Sequence, residues 1–236
     1  MSNNYFKFKQ FTIVQDGCAM KVGTDGCLLG GWFDCSKSEK ILDIGCGSGL
    51  IAIMAAQRCD ALVTGIEIDS NAAIQAEENV KNSPWSERIE IVNCDFLEYN
   101  TSKRFDTIVC NPPYFVNSLK CDNTSRTLAR HSDSLSSRDF FRKADELLTP
   151  DGRICIIIPC DILKEWENSA AEYGFYPTLT TSVKTTPRKA AKRALVEFTR
   201  EGHTTAREET LILECSPGKY SEEAKMILRD FYLKIE

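Results

Sequence analysis

Strand-like and helix-like segments alternate along this chain from residue 40 onwards. Alternation of this kind is typical of a mainly parallel sheet with helices on both faces. The predicted strands are 41–44, 61–68, 89–92, 106–110 and 153–158, with later strands at 178–183, 193–199 and 210–214. The predicted helices are 50–58, 70–82, 138–148, 161–173 and 221–235. We therefore predict an α/β fold, in which the closely spaced late strands form an antiparallel edge.

The bulk composition is that of an ordinary globular chain. It has 236 residues, 42% apolar and 27% charged, which suffices for one α/β domain with a substantial core. No apolar run approaches the roughly 18 residues of a membrane-spanning helix, and the N-terminus lacks the apolar core of a signal peptide. We predict a single domain over 1–236, with a strand and lid segment at 1–39 and the core at 40–236. We expect a cytoplasmic protein that does not bind membranes, and we favour a monomer.

The cysteines and histidines give no pattern of metal ligands. There are eleven cysteines without a C-x-x-C pair, and the two histidines, His131 and His203, are far apart. In a reducing compartment, free cysteine packs as a small apolar residue. We therefore predict no metal site and a packing role for nearly all of the cysteines.

A glycine-rich loop, Gly45-Cys46-Gly47-Ser48-Gly49, follows the strand 41–44 and precedes a predicted helix. Glycine lets the backbone approach a ligand where a Cβ would clash. A dinucleotide fingerprint would need its third glycine at position 50, which is leucine. Glu67 ends the next strand and is placed to accept hydrogen bonds from ribose hydroxyls. A helix-capping or solvated carboxylate is the alternative role for Glu67, although Asp69 is the better N-cap candidate.

Asn111-Pro112-Pro113-Tyr114 directly follows the strand 106–110. The prolines end the strand and leave an amide and an aromatic ring at the carboxyl edge of the sheet, where open α/β folds bind ligands. The Asn111 side-chain carbonyl and the Pro112 backbone carbonyl can hold both N–H groups of an exocyclic amine, which makes its lone pair available. Tyr114 offers a ring on which a base stacks. Such a site needs no strong base.

Together these motifs resemble the class I S-adenosylmethionine (SAM) methyltransferases that methylate exocyclic amino groups. The whole chain resembles the bacterial tRNA adenine-N6 methyltransferases that modify a valine tRNA at the adenine 3′ of the anticodon. The segments that carry the resemblance are 6–11, 20–25, 42–49, 67–69, 111–115, 129–131 and 187–189. The resemblance implies a Rossmann-like, mostly parallel seven-stranded sheet, SAM as the methyl donor and tRNA as the substrate.

The resemblance also implies roles for single residues. It implies cofactor binding by Lys21, Thr24, Asp43, Gly45, Gly47, Gly49, Glu67, Asp95, Phe96 and Asn111. Asp95 would accept from the adenine amino group of SAM while Phe96 packs on the ring, and the segment 21–25 would close over the methionine end. The alternatives are a surface aspartate at position 95 and a simple turn at Thr24-Asp25-Gly26. The predicted catalytic residues are Asn111, Pro112 and Tyr114.

A strong local excess of positive charge lies at 184–200, although the whole chain has a net charge of −5. The segment contains Lys184, Arg188, Lys189, Lys192, Arg193 and Arg200 against Glu197 alone. We predict that it holds RNA phosphates, and a solvated charge run is the alternative. The predicted substrate-binding residues are Pro113, Tyr114, Phe115, Arg130, His131, Lys184, Arg188, Lys189, Lys192 and Arg193. His131 has the alternative of an ordinary loop histidine.

Other functions remain open at this point. An Asn-Pro-Pro-Tyr motif also suits a methyltransferase for the guanine amino group of rRNA or for a protein glutamine. A protein that binds SAM or RNA without catalysis is the alternative from another class. Pro159-Cys160 fits the nucleophile pattern of cytosine-C5 methyltransferases, but the motif at 111–114 offers no thiol where such enzymes need one. We therefore assign Cys160 a structural role.

Overall fold

A computed structural model describes residues 4–18, 20–113, 135–201 and 206–235 of the protein. Its helices are α1 (Thr24–Trp32), α2 (Leu50–Arg58), α3 (Ser70–Lys81), α4 (Ser137–Leu147), α5 (Leu163–Glu172) and α6 (Glu222–Leu228). The strands up to the middle of the chain are β1 (Tyr5–Lys7), β2 (Thr12–Val14), β3 (Lys40–Ile44), β4 (Leu62–Glu67), β5 (Ile89–Asn93) and β6 (Phe105–Cys110). The later strands are β7 (Leu148–Pro159), β8 (Tyr176–Lys184), β9 (Arg193–Thr199), β10 (Arg207–Ile212), β11 (Glu214–Ser216) and β12 (Lys219–Tyr220).

The main sheet of the described residues has eight strands in the order β10-β8-β9-β7-β6-β3-β4-β5. Strands β3 to β7 are parallel to their neighbours within that group, and β9 runs antiparallel to both β7 and β8. The prediction of an α/β fold with a mostly parallel sheet is confirmed. The sheet has one strand more than the seven expected, because β10 adds to the outer side of β8, and it does so in parallel. Among the described strands of this sheet, β9 alone is therefore reversed.

Both faces of the sheet are covered by apolar side chains. On β6, Val109 packs into the cluster that includes α1 and α2, whereas Ile108 packs into the cluster around α4 and α5. On β7, Ile157 and Ile156 divide between the same two clusters in the same way. Successive residues of a strand point to opposite faces, so a strand buried on both sides is apolar throughout. This pattern explains why these strands could be predicted from the sequence.

Helix α1 was missed, because Thr24-Asp25-Gly26 was interpreted as a turn and glycine is a poor helix former. The helix is stabilised by close packing instead. A Cβ on Gly30 would lie 2.7 Å from the Met54 sulfur of α2, and one on Gly31 would lie 2.5 Å from the Ile227 carbonyl oxygen of α6. Glycine lets α1 approach both helices at distances that a side chain would forbid.

The last helix, α6, ends earlier than predicted. Ser221 caps it by accepting a hydrogen bond from the Ala224 N–H at 3.0 Å. After Leu228 the chain pairs with the N-terminal segment, where Lys9 N–H donates to the Phe231 carbonyl at 2.8 Å and Phe8 bridges Tyr232. The apolar spacing that predicted a helix to residue 235 reflects this packing. Of the helices described, none is both long and apolar enough to cross a membrane.

Candidate active site at the carboxyl edge of the sheet

A cavity of about 1170 Å³ lies at the carboxyl edge of the main sheet. Residues that follow β3, β4, β5 and β6 line it, together with the start of α1 and the first residue of β9. The predicted site residues that it brings together are Lys21, Thr24, Gly45, Gly47, Glu67, Asp95, Phe96, Asn111, Pro113 and Arg193. Motifs that are distant in the sequence thus meet, because parallel strands present their carboxyl ends at one edge.

The glycine loop turns its bare backbone towards the cavity. Gly45 and Gly47 have φ angles of +67° and +55°, in the left-handed region that favours glycine. A Cβ on either residue would meet no atom within 4 Å. At these positions a ligand can therefore contact the backbone directly. The loop is held by hydrogen bonds from Cys46 N–H to the Ile66 carbonyl at 2.9 Å and from Gly47 N–H to Glu67 Oε2 at 2.8 Å.

Glu67 stands in the cavity wall with its carboxylate fixed at both oxygens. Oε2 accepts from Gly47 N–H, and Oε1 accepts from Asp69 N–H at 2.9 Å. A carboxylate offers about four acceptor positions, so each oxygen can still accept a ribose hydroxyl. Asp69 caps α3 through the Ala72 N–H at 2.9 Å, as predicted. The capping role that was the alternative for Glu67 therefore belongs to Asp69.

Asp43 and Gly49 lie behind the loop and are absent from the cavity wall. Asp43 is fully buried, and its Oδ2 accepts from Ala52 N–H in the first turn of α2 at 3.0 Å. Its Oδ1 has no hydrogen-bond partner among the described residues. Burial raises the pKa of Asp43 to about 7, with a smaller contribution from the nearby Glu67. Gly49, at φ +80°, begins α2 against Ala76. Both residues therefore shape the loop from behind.

Asp95 and Phe96 form the end of the cavity beside β5. Asp95 Oδ1 accepts from Leu97 N–H at 2.8 Å and thereby caps a short 3-10 helix at Phe96–Glu98. The Phe96 ring is buried and lies 5.8 Å from the Phe140 ring, centroid to centroid. An acidic acceptor and an apolar ring thus stand side by side. This pairing suits a purine with an exocyclic amine, such as the adenine of SAM.

Sequence reasoning missed two apolar residues of the cavity wall. Ile68 is 66% exposed and Met20 is 59% exposed, although both are large apolar side chains. An exposed apolar residue beside an open cavity indicates contact with a ligand more than a core position. The sequence did carry a signal for Ile68. It lies between Glu67, which ends β4, and Asp69, which caps α3, so it belongs to the turn at the carboxyl edge of the sheet.

The acceptor motif follows β6 directly, as predicted. Asn111 is half-buried, Pro112 is buried and Pro113 is exposed, and Asn111 and Pro113 line the cavity. Gly26 of α1 lies behind the amide, since a Cβ there would be 3.9 Å from Asn111 Nδ2. Tyr114, Phe115, Arg130 and His131 lie outside the described residues.

The basic segment forms the connection between β8 and β9, and residues 184–192 are called the basic loop below. Arg193 pairs with Pro159 on β7 and with Val183 on β8, so the loop lies at the carboxyl edge. Arg188, Lys189 and Lys192 are exposed, and Lys184 is half-buried. Within the described ranges, no carboxylate lies within salt-bridge distance of these four cations.

Arg193 differs from the rest of the basic segment. Its Nε donates to Asp25 Oδ2 of α1 at 2.7 Å, and both residues line the cavity. Its charge is therefore already paired.

Cys160, at the end of β7, is half-buried, and burial raises the pKa of its thiol. A raised pKa is the opposite of what a nucleophilic cysteine requires. Over residues 4–18, 20–113, 135–201 and 206–235, no group of metal-ligating side chains is found.

Comparison with known proteins agrees with this geometry. The sequence model of the family "Methyltransferase small domain" matches residues 20–164. A tRNA1(Val) (adenine(37)-N6)-methyltransferase of Bacteroides fragilis is 47% identical over 100% of both chains. A protein of the same name from Trichodesmium erythraeum is 44% identical over 99% of this chain and 100% of its own.

Solved structures share the fold at low sequence identity. A predicted O-methyltransferase from Agrobacterium tumefaciens has a TM-score of 0.68 at 19% identity, covering 90% of this chain and 99% of its own. The glycopeptide N-methyltransferase MtfA in complex with SAM has a TM-score of 0.56 at 14% identity, covering 76% of this chain and 99% of its own. The Rossmann-like fold of class I methyltransferases is thereby confirmed.

Proposed function

Because this chain belongs to the methyltransferase small domain family, and within it to the tRNA1(Val) (adenine(37)-N6)-methyltransferases, we propose that it methylates the N6 amine of an adenine in tRNA. The methyl donor is SAM, and the target is the adenine 3′ of the anticodon of a valine tRNA. The observation that carries the proposal is the position of Asn111. Its amide stands in the wall of the same cavity as the glycine loop and Glu67.

The cavity divides between the two reactants along the order of the strands. Gly45 follows β3, Glu67 ends β4 and Asp95 comes shortly after β5, and these three strands lie on one side of β6. These residues hold SAM, which supplies an electrophilic methyl group when bound. Asn111 follows β6 itself, and the basic loop lies beyond it on the other side. A target base held at Asn111 therefore stands between the donor site and the RNA-facing surface.

Asn111 and Pro112 activate the target amine without a strong base. The adenine amine is a poor nucleophile because its lone pair is delocalised into the ring. The Asn111 side-chain oxygen and the Pro112 carbonyl oxygen accept its two N–H groups, and this bias towards a tetrahedral nitrogen frees the lone pair. The same oxygens stabilise the positive charge that develops on nitrogen. Proton loss from the product can go to water. Stacking on Tyr114 is worth about 1–3 kcal/mol per base.

The basic loop supplies the contact with RNA phosphates. Its exposed cations meet no carboxylate among the described residues, so their charge is available to an anion. Phosphate contacts position an RNA without reading its sequence. The target adenine must then be unstacked from the anticodon loop to reach Asn111. The overall charge of −5 confines this attraction to one surface.

The function is tested by nucleoside mass spectrometry. Separate reactions contain the protein, isotope-labelled SAM and one acceptor each. The acceptors are tRNA from cells that lack the protein, rRNA, DNA and release factor. We expect N6-methyladenosine in the tRNA alone. Label in a guanine of rRNA or in a protein glutamine would instead support one of the other acceptors. SAM binding without transfer to any acceptor would support a binding protein.

Removing two charges of the basic loop should weaken tRNA binding. For R188Q/K189Q we expect the tRNA affinity at low salt to fall about tenfold. We also expect the plot of the logarithm of the association constant against the logarithm of the salt concentration to become less steep, by about 0.7–0.9 for each phosphate that the variant no longer neutralises. The measurement is a salt titration of the tRNA dissociation constant. The control is K37Q/K40Q, because Lys40 begins β3 and these two lysines therefore lie at the amino ends of the parallel strands. It should bind tRNA as wild type does. An unchanged affinity of R188Q/K189Q would leave the loop a solvated charge run.

The remaining parts of the proposal concern the protein as a whole. We propose that the protein acts as a monomer and as a single domain. Since tRNA is the substrate, we place the protein in the cytoplasm. Size-exclusion chromatography with light scattering, in the presence of tRNA, measures whether the protein is a monomer.

A further inference from the structure

One ion pair joins the first turn of α1 to the sheet inside the cavity wall. Arg193 Nε donates to Asp25 Oδ2 at 2.7 Å, and the side chains are 29% and 30% exposed. Partial burial weakens the screening of such a pair by water. Both residues line the cavity, 168 positions apart in the chain. The pair is therefore part of the site, and the phosphate-binding role predicted for Arg193 does not account for it.

Arg193 stands on the acceptor side of the cavity. It is the first residue of β9, and β9 is separated from β6 by β7. The donor-side residues lie at the carboxyl ends of β3, β4 and β5, on the other side of β6. Loss of Arg193 should thus disturb the place of the target base more than the place of SAM.

Helix α1 carries the effect of this pair to Asn111. Gly26 is the neighbour of Asp25, and a Cβ on it would lie 3.9 Å from Asn111 Nδ2 and 3.2 Å from Leu50 Cδ2. At the other end of α1, Trp32 Nε1 donates to Thr181 Oγ1 of β8 at 3.2 Å. The helix is thus tied to the sheet at both ends. Its first turn lies behind the acceptor amide, and the Asp25–Arg193 pair fixes the position of that turn.

We propose that Arg193 and Asp25 are positioning residues, which hold α1 behind Asn111 and thereby fix the acceptor amide for transfer. Arg193 then acts through Asp25 and not on an RNA phosphate. This inference rests on the proposed function, because the rate that it concerns is that of transfer to tRNA. Misplacing a reacting group by a fraction of an ångström to an ångström lowers a rate strongly while leaving binding largely intact.

The test separates rate from affinity. For R193Q and for D25N we expect single-turnover transfer at saturating tRNA and SAM to fall about tenfold or more. The dissociation constant of tRNA should stay within about twofold of wild type for both variants, and that of SAM should do so for R193Q, since Arg193 lies outside the segment 21–25. Because the two side chains act as one pair, D25N/R193Q should be no slower than the slower single variant. The charge-reversed variant D25R/R193D should recover part of the rate, which a general loss of packing would not allow.

A matched control lies at the other end of the same strand. Arg200, directly after β9, pairs with Asp145 at 2.6 Å, and its side chain is 28% exposed, close to the 29% of Arg193. R200Q breaks a similar pair at the opposite end of β9, away from the cavity and outside the basic loop at 184–192, and should transfer at the wild-type rate. The midpoint of thermal unfolding, measured for every variant, shows that each is folded.

Two outcomes would overturn the inference. In one, R193Q weakens tRNA binding as R188Q/K189Q does while its saturating rate is unchanged, which would make Arg193 a phosphate contact. In the other, the losses of the two single variants multiply in D25N/R193Q, which would make the residues independent. Transfer to tRNA by the wild-type protein is the reference throughout. Its absence would overturn the proposed function and is distinguished from both outcomes.

Discussion

Asn111→Ala is expected to abolish turnover while SAM binding stays largely intact. The change removes one of the two oxygens that hold the target amine, and loss of one preorganised hydrogen-bonding partner at a reacting group costs about 10²–10³ in rate. The donor-side residues lie at the carboxyl ends of β3, β4 and β5, so the SAM dissociation constant should change by less than about threefold. Single-turnover transfer to tRNA and calorimetry with SAM measure the two quantities.

Asn82→Ala is the control for this prediction. It removes the same amide from the exposed end of α3, where Asn82 Nδ2 donates to the Glu78 carbonyl at 2.9 Å. It should leave both the rate and SAM binding unchanged. If Asn111→Ala retained more than about a tenth of the wild-type rate, the amide would not be the acceptor proposed.

Glu67→Gln is expected to weaken SAM binding about 10- to 100-fold, since hydrogen bonds to a charged group contribute roughly 1.5–3 kcal/mol each. The carboxylate already accepts from Gly47 and Asp69, and the ribose hydroxyls are two further donors. Glutamine keeps one acceptor oxygen, and the other carboxylate oxygen is replaced by an NH2 group. That NH2 group would face the N–H and O–H donors that the carboxylate accepts. Both the glycine loop and the ligand lose partners in this variant. Calorimetric titration with SAM provides the measurement.

Glu90→Gln on β5 is the matched change for Glu67→Gln. Glu90 forms an exposed salt bridge with Lys103 at 2.6 Å, and exposed pairs of this kind contribute about 0–1 kcal/mol. This variant should bind SAM as wild type does. Equal SAM affinity in the Glu67 and Glu90 variants would assign the ribose to another residue.

The sequence predicted those parts of the site that depend on short stretches of chain. The strands β3, β4 and β6 are largely buried on both faces. Glycine follows β3, Glu67 ends β4 and Asn-Pro-Pro follows β6. Once the strands are parallel, their carboxyl ends must meet, so the glycine loop, Glu67 and Asn111 were expected together. Asp69 as the cap of α3 follows from local chemistry as well.

The missed features all depend on contacts between distant parts of the chain. Helix α1 forms because Gly30 and Gly31 pack closely on α2 and α6, and no local pattern reports such contacts. The end of α6 is set by pairing with the N-terminal segment, and the direction of β10 is set by its neighbour β8. Arg193 looked like its basic neighbours in the sequence, because its partner Asp25 lies 168 positions away.

The reversal of one strand, β9, determines how much chain is needed to place a basic loop at the carboxyl edge of the sheet. Two neighbouring strands of the same direction need a crossover that carries the chain back to the opposite rim. An antiparallel neighbour allows a short connection that never leaves the rim on which it starts. The residues between β8 and β9 therefore stay at the same edge of the sheet as the acceptor amide, which follows β6. Under the proposed function, the direction of a single strand is therefore enough to place a basic loop for RNA phosphates at this edge.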